Sequence, residues 1–358
     1  TAVAAGLVSS SDAATAFRVL PLQEDPQDPG AGNASVRIVH ASSDAPAVAI
    51  DLGNDGSPEI TSLDRFADTG AAGVPLPAGV SLAVGIWTAS PLTKVTSFTT
   101  PQLPEGAELL LIAIGRVADL PRHETGFGLL AVGPDGVIGL IRQDPSIFLL
   151  HASPDAPPVD VLAGGTSAVL VGNLSFGDLS PAVQLPPAAY DLDVAPHGGG
   201  AVVASVTTPA LQAGERYLAI ATGFVSDTPS FTVLPLREGF ASSSSALLRV
   251  VHASPDAPAV DVGVWDGTNF TALAPLSNLA FGEASDEAGV AVAAGPLSVG
   301  VAATGKTTPV AVFNLAPTAG LRTYAVACGS LTGNGAAFRL LMVDASSYPW
   351  QASAVYPN

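Results

Sequence analysis

The string His-Ala-Ser-Pro-Asp-Ala-Pro occurs at 151–157 and again at 252–258, and returns at 40–46 with one change, as His-Ala-Ser-Ser-Asp-Ala-Pro. Each copy follows a short apolar run (Val36-Arg-Ile-Val, Ile147-Phe-Leu-Leu, Leu248-Arg-Val-Val) and leads into another (Val48-Ala-Ile-Asp, Val159-Asp-Val-Leu, Val260-Asp-Val-Gly). The pattern is strand, corner, strand, three times over. The histidines lie 111 and 101 residues apart (151 minus 40, 252 minus 151), a period of whole domains and too long for a solenoid coil. The chain is a tandem array.

The likeness between copies runs past the corner. A Phe-small-acid step follows (Phe66-Ala-Asp, Phe176-Gly-Asp, Phe281-Gly-Glu), then Pro/Gly turns, alternating strands such as Tyr190-Asp-Leu-Asp-Val, and two closing strands that begin at Leu109, Tyr217 or Tyr324. With 37 Gly, 31 Pro and turn signals every 8–12 residues, the sequence predicts an all-β protein. The expected architecture is a tandem array of immunoglobulin-like antiparallel β-sandwiches of about seven or eight strands each, a closed barrel being the alternative. The expected segments are a closing hairpin of an incomplete repeat at 1–24, a linker at 25–33, and sandwiches at 34–144 and 145–240. A Ser-rich linker at 241–246, a third sandwich at 247–345 and an aromatic tail at 346–358 complete the chain. The apolar stretch Val137-Ile-Gly-Leu-Ile reads as a packed, stiff connection between the first two repeats.

Thr1-Ala-Val-Ala-Ala-Gly with Phe17-Arg-Val-Leu-Pro-Leu matches the closing strands of a repeat, yet an isolated hairpin leaves an apolar face and an edge uncovered. Three readings stay open: a further repeat ahead of Thr1, completion by a neighbouring chain, or packing back on the same chain. Val3, Phe17, Val19, Leu20 and Leu22 are therefore candidates for intersubunit contact, as are Tyr348, Trp350 and Tyr356 in the tail, where docking on the third repeat is the competing reading.

Net charge is −18 and the 13 basic residues, Lys94 and Lys306 among them, are scattered singly, which excludes nucleic acid as a partner. The most apolar long window, 289–305, is broken at Gly295-Pro296 and reads as two strands and a turn, so no membrane insertion is expected. Residues 1–20 hold no basic start followed by an apolar block, so an exported protein would be numbered here from after processing. The single cysteine, Cys328, rules out an intrachain disulfide framework.

Val250-Val-His-Ala-Ser-Pro-Asp-Ala-Pro-Ala-Val-Asp-Val262, with the Leu-Pro-Ala-Gly-type turns and the Tyr-x-x-x-Ala-x-Gly closing strand, resembles the signature of the bacterial domain of unknown function 4397 family. The resemblance covers 34–345 as three copies and 1–24 as part of a fourth. It implies β-sandwiches and an exported or cell-surface protein, and supplies no catalytic residues. The first copy departs from the pattern at Ser43 and at Ala49-Ile50-Asp51.

The corner residues His40, Asp44 and Pro46, His151, Asp155 and Pro157, and His252, Asp256 and Pro258 invite two readings. With Asp51, Asp160 and Asp261 they could be metal ligands. As corner residues, the prolines pre-set φ, the aspartate closes an Asx turn, and the histidine donates to a carbonyl. Recurrence in three repeats favours the corner. Calcium is the one cofactor weighed, on Asp51-Leu-Gly-Asn-Asp-Gly and Asp266-Gly-Thr-Asn, but neither has the spacing of a calcium loop, and both read as hairpin turns. Asn33, Asn173 and Asn269 head Asn-x-Ser/Thr sequons.

No nucleophile elbow, zinc-protease motif, phosphate loop or dinucleotide fingerprint occurs, His123 and His197 read as loop residues, and Cys328 reads as core. A non-enzymatic extracellular structural protein is expected, with no cofactor, self-associating head to tail. The alternative is a cell-surface adhesin that binds a glycan or protein, with Trp87 and Trp265 as its candidate contacts.

Overall fold

The computed structural model describes every residue except Pro26, which belongs to the expected linker 25–33 and lies outside the described residues. The chain is all-β, and its only helical element among the described residues is a 3₁₀ turn at Ala274–Leu276. It divides into two compact units, residues 1–145 with 184–188 and 211–215, and residues 146–183, 189–210 and 216–358.

In the first unit, repeat 1 is a two-sheet sandwich. One sheet runs in the order Gly136–Arg142, Gly128–Gly133, Glu108–Ile114, Asn33–His40, Val74–Pro77, and the other Ile60–Leu63, Val48–Leu52, Ala83–Ala89, Leu92–Thr99. Repeats 2 and 3, in the second unit, reuse this plan. Within each sandwich one pair departs from the antiparallel expectation. The opening strand lies parallel to the first closing strand, His40 opposite Ala113, His151 opposite Ala221, His252 opposite Ala327. A parallel pair needs a long crossover, and here the rest of the sandwich supplies it.

The cores follow the alternation. Ile38, Val48, Ile50, Val84, Ile86 and Phe98 meet Leu111, Phe127 and Leu129 between the sheets of repeat 1, with Phe98 and Phe127 edge to face at 5.7 Å. The opening strands of repeats 2 and 3, however, are buried on both faces: every residue of Ser146–His151 and Ala246–Ala253 is buried. A second core explains this. The outward face of repeat 2 (Phe148, Leu150, Leu218, Ile220) packs on that of repeat 3 (Val251, Tyr324, Val326, Leu341, Val343), and Trp350 stacks on Phe148 at 4.4 Å and 10°.

The amino-terminal hairpin, Ala2–Ala5 with Arg18–Pro21, packs back on its own chain. Val3, Ala5, Leu20 and Leu22 cover Val39, Ala41, Ile112 and Leu130 of repeat 1. The covered positions of repeat 1 are the equivalents of those that repeat 3 buries against repeat 2. Arg18 lies over Phe66 at 4.2 Å, as Arg339 of repeat 3 lies over Phe176 of repeat 2 at 5.1 Å, each at the same place in its repeat. The hairpin therefore meets repeat 1 as one whole repeat meets another.

One linker expectation changes. Residues 136–142 form an edge strand of repeat 1, with Val137 and Ile138 exposed, and are no packed connection. The serine run is exposed, and the two repeats it joins share a core. The tail is the last strand of repeat 3, Gln351–Val355 pairing with Arg339–Asp344. No helix among the described residues is long and apolar enough to cross a membrane.

Candidate functional site

The recurrent corner joins the end of the opening strand to the turn of the closing hairpin. Each histidine is at most 1% exposed, and its Nε2 meets the carbonyl of the proline that ends the corner: His40 to Pro46 at 2.8 Å, His151 to Pro157 at 3.2 Å, His252 to Pro258 at 3.0 Å. A carbonyl can only accept, so Nε2 carries the proton. Burial pushes all three imidazoles below their ordinary value, against the smaller opposing pull of the proline carbonyl. They are neutral donors.

The serine and the aspartate reach about 70 residues along the chain. Ser42, Ser153 and Ser254 Oγ donate to the carbonyls of Gly115, Gly223 and Gly329, at 2.9, 2.6 and 2.7 Å. Asp44 accepts from the amides of Val117 and Ala118, Asp155 from Val225 and Ser226, and Asp256 from Leu331 and Thr332, all at 2.8–3.0 Å. The aspartate was expected to close a local Asx turn, and instead it clasps a distant one. The three glycines are obligatory, with φ between +76° and +88° and a built Cβ falling 2.3–2.4 Å from the carbonyl oxygen across the turn.

Charge is well contained there. Burial tends to raise Asp256, but the hydroxyls of Ser330 and Thr332 and the amides of Leu331 and Thr332 outweigh it and hold the carboxyl far below the usual range. Asp155 is lowered in the same way, burial opposing the Ser226 hydroxyl and the amides of Val225 and Ser226.

The histidine of each corner thus faces its own proline carbonyl while the serine and aspartate turn to the distant hairpin, Ser42 Oγ also lying 3.3 Å from Asp44 Oδ1. Asp51, Asp160 and Asp261 serve other turns: Asp51 takes the amides of Asp55 and Gly56, Asp160 that of Asn173 with His197 Nδ1, Asp261 those of Asn278 and Gly305. No group of three His, Cys, Asp or Glu among the described residues is placed to hold a metal ion. The Asp266 loop closes on its own amides at Thr268 and Asn269. Cys328 is fully buried, its thiol pushed up to about 12 by that burial. His197 is half-exposed on Asp160, and the His123 carbonyl accepts from Arg142.

The candidate contact residues separate into two groups. Val3, Leu20, Leu22 and Trp350 pack within the chain, because apolar faces of the same polypeptide reach them first. Tyr348 lies beneath the Arg216 guanidinium at 4.4 Å, and Tyr356 accepts from Arg339. Phe17 and Val19 stay open, 51% and 57% exposed, and the two tyrosines keep 41% and 60% of their surface. Of the two tryptophans, Trp87 is half-buried beside Gly85, while Trp265 lines an open cleft with Asp266, Ser298, Asn314 and Asn358.

Sequence reasoning missed the amides at 117–118, 225–226 and 331–332. Their only trace in the sequence is the glycine that precedes them by two or three positions in every copy.

No curated protein gives a match to the chain. The family model described as "Domain of unknown function (DUF4397)" matches residues 145–263 and 246–355, which take in repeats 2 and 3 with both of their clasped corners. Together the two matches span more than half of the sequence, and the chain belongs to the DUF4397 family.

Proposed function

We propose that the chain is a non-enzymatic extracellular structural protein, its tandem sandwiches forming a surface stalk or a head-to-tail fibre with the amino-terminal hairpin as the junction. The observation that carries this reading is the repeated face-to-face contact. Repeats 2 and 3 bury their outward faces on each other, and the hairpin covers the equivalent face of repeat 1. A contact used twice within one chain suits assembly by repetition. The hairpin's second face, with Phe17 and Val19, is what remains for strand sharing with a neighbour.

Electron microscopy of the natively purified protein tests this. Regular fibres are expected from wild type, and Val19→Arg should abolish them with no fall in melting temperature, because Val19 touches no core. Deleting 1–24 would be a poorer test, since it bares Val39 and Ile112. Fibres that survive Val19→Arg, or monodisperse single chains from wild type, would count against the fibre.

The cleft beside Trp265 supports the second reading, an adhesin that binds a glycan or protein, because an aromatic flanked by Ser298 and Asn314 offers a ring face with polar groups beside it. A glycan array should then show binding that Trp265→Ala removes, and an array without such a signal would sink it.

A further inference from the structure

Repeats 2 and 3 touch at a second place besides their shared core. The closing turn of repeat 3, Gly333-Asn334-Gly335-Ala336, lies on the corner of repeat 2, where the Ala336 amide donates to the Pro154 carbonyl at 2.9 Å. That contact fixes Gly335. Its φ is +92°, and a built Cβ would fall 2.2 Å from the Pro154 oxygen and 2.9 Å from the Asp155 nitrogen, so only glycine fits between the turn and the corner.

The fit places a glycine directly after an asparagine, the one such pair in the sequence. A backbone nitrogen can attack the side-chain carbonyl carbon of the residue before it, and glycine, with no Cβ, leaves the approach unhindered. The other asparagines are better protected. Asn33 Nδ2 is held by the Pro29 carbonyl and Asn269 Nδ2 by the Asp266 carboxylate, while Asn173, Asn278 and Asn314 all precede a branched leucine. The side-chain amide of Asn334 has no hydrogen-bond partner among the described residues. Asn334 is half-buried, Gly335 is exposed, and the Gly335 N–H is held only by the Gly333 carbonyl, at 3.1 Å within the same turn.

We infer that Asn334 is a self-modification site whose conversion loosens the joint between repeats 2 and 3. The Gly335 nitrogen attacks Asn334 Cγ, a C–N bond forms, and the side-chain nitrogen leaves as ammonia with the Gly335 amide proton. Water then opens the five-membered imide to aspartate or isoaspartate. Isoaspartate routes the backbone through the side chain and inserts one extra carbon ahead of Gly335, which moves Gly335 and Ala336 off Pro154. Either product adds a carboxylate. The Asn334 amide donates to Ser330 Oγ at 2.9 Å and that hydroxyl donates to Asp256 at 2.6 Å, so the new charge stands near Asp256 in a chain whose net charge is already −18. The change runs one way and accumulates with the age of the protein. It is independent of assembly into fibres.

The test holds the full chain at mildly alkaline pH and samples it over several weeks. Trypsin releases Thr323–Arg339, in which Asn334 is the only asparagine. That peptide is expected to gain about 1 Da and to split into an aspartate and an isoaspartate species. Aged wild type should melt about 2–4 °C below fresh protein, the shift for the loss of roughly one hydrogen bond in a unit of this size. Asn334→Gln, whose longer side chain would have to close a larger ring, should keep both its mass and its melting temperature over the same period. A peptide that stays at its original mass in the folded chain, while the urea-unfolded chain converts, would overturn the site. Conversion with an unchanged melting temperature would overturn its effect on the joint.

Discussion

Trp350→Ala is expected to destabilise the unit that holds repeats 2 and 3 by about 3–5 kcal/mol, the range for truncating a fully buried aromatic. Trp350 is 3% exposed, stacks on Phe148 of repeat 2 and leans on Tyr324 of repeat 3 at 5.7 Å, so one side chain fills the joint from both directions. Its indole N–H has no acceptor among the described residues. Trp350→Phe should therefore cost far less, because it keeps ring contact and removes an unsatisfied donor. Denaturant unfolding of the two variants checks this. Losses under about 1 kcal/mol for the alanine variant would mean that the shared core does not hold the two repeats together.

The second large effect is acid lability above the range in which carboxylates titrate. His40, His151 and His252 are held neutral in the fold, with values lowered from 6.5 by burial, and gain a proton on unfolding. Below pH 6.5 the unfolded chain binds more protons than the folded one, so stability falls with pH. The slope is about 1.4 kcal/mol per pH unit for each histidine, until its folded value is reached. By pH 5 each corner can lose up to about 2 kcal/mol. Asp155 and Asp256 act later. Their folded values lie below 3.8, so the stability they contribute is intact at pH 5 and lost as pH falls through those lowered values. Melting temperatures from pH 7 to 5 should drop, and His252→Gln, which keeps a donor but does not titrate, should remove one histidine's share of the slope in its unit. A flat profile between pH 7 and 5 would refute the neutral, buried assignment.

Much of this was legible along the chain. The three corners, the strands beside them and the likeness of 1–22 to a closing hairpin are local patterns, and alternation with turn residues specifies local structure well. Ile147-Phe-Leu-Leu and Leu248-Arg-Val-Val are nearly continuous apolar runs, which is how a strand covered on both faces reads, so a second layer over each opening strand was implied. The runs do not say what the layer is. Trp350 illustrates the limit, being an aromatic in a tail whose partner, Phe148, stands some two hundred residues upstream.

The sequence by itself determined the number of repeats, their all-β sandwich character and the residues of the corner, because period, alternation and turn chemistry are properties of neighbours in the chain. Only the tertiary structure decided that Asp44, Asp155 and Asp256 clasp amides about 70 residues away, that repeats 2 and 3 share a core, and that one face of the hairpin is covered while the other is open. Backbone amides look alike in every sequence, and an apolar face can be covered by any apolar face of the right shape. Which donor reaches which acceptor is settled by the packing of whole sheets.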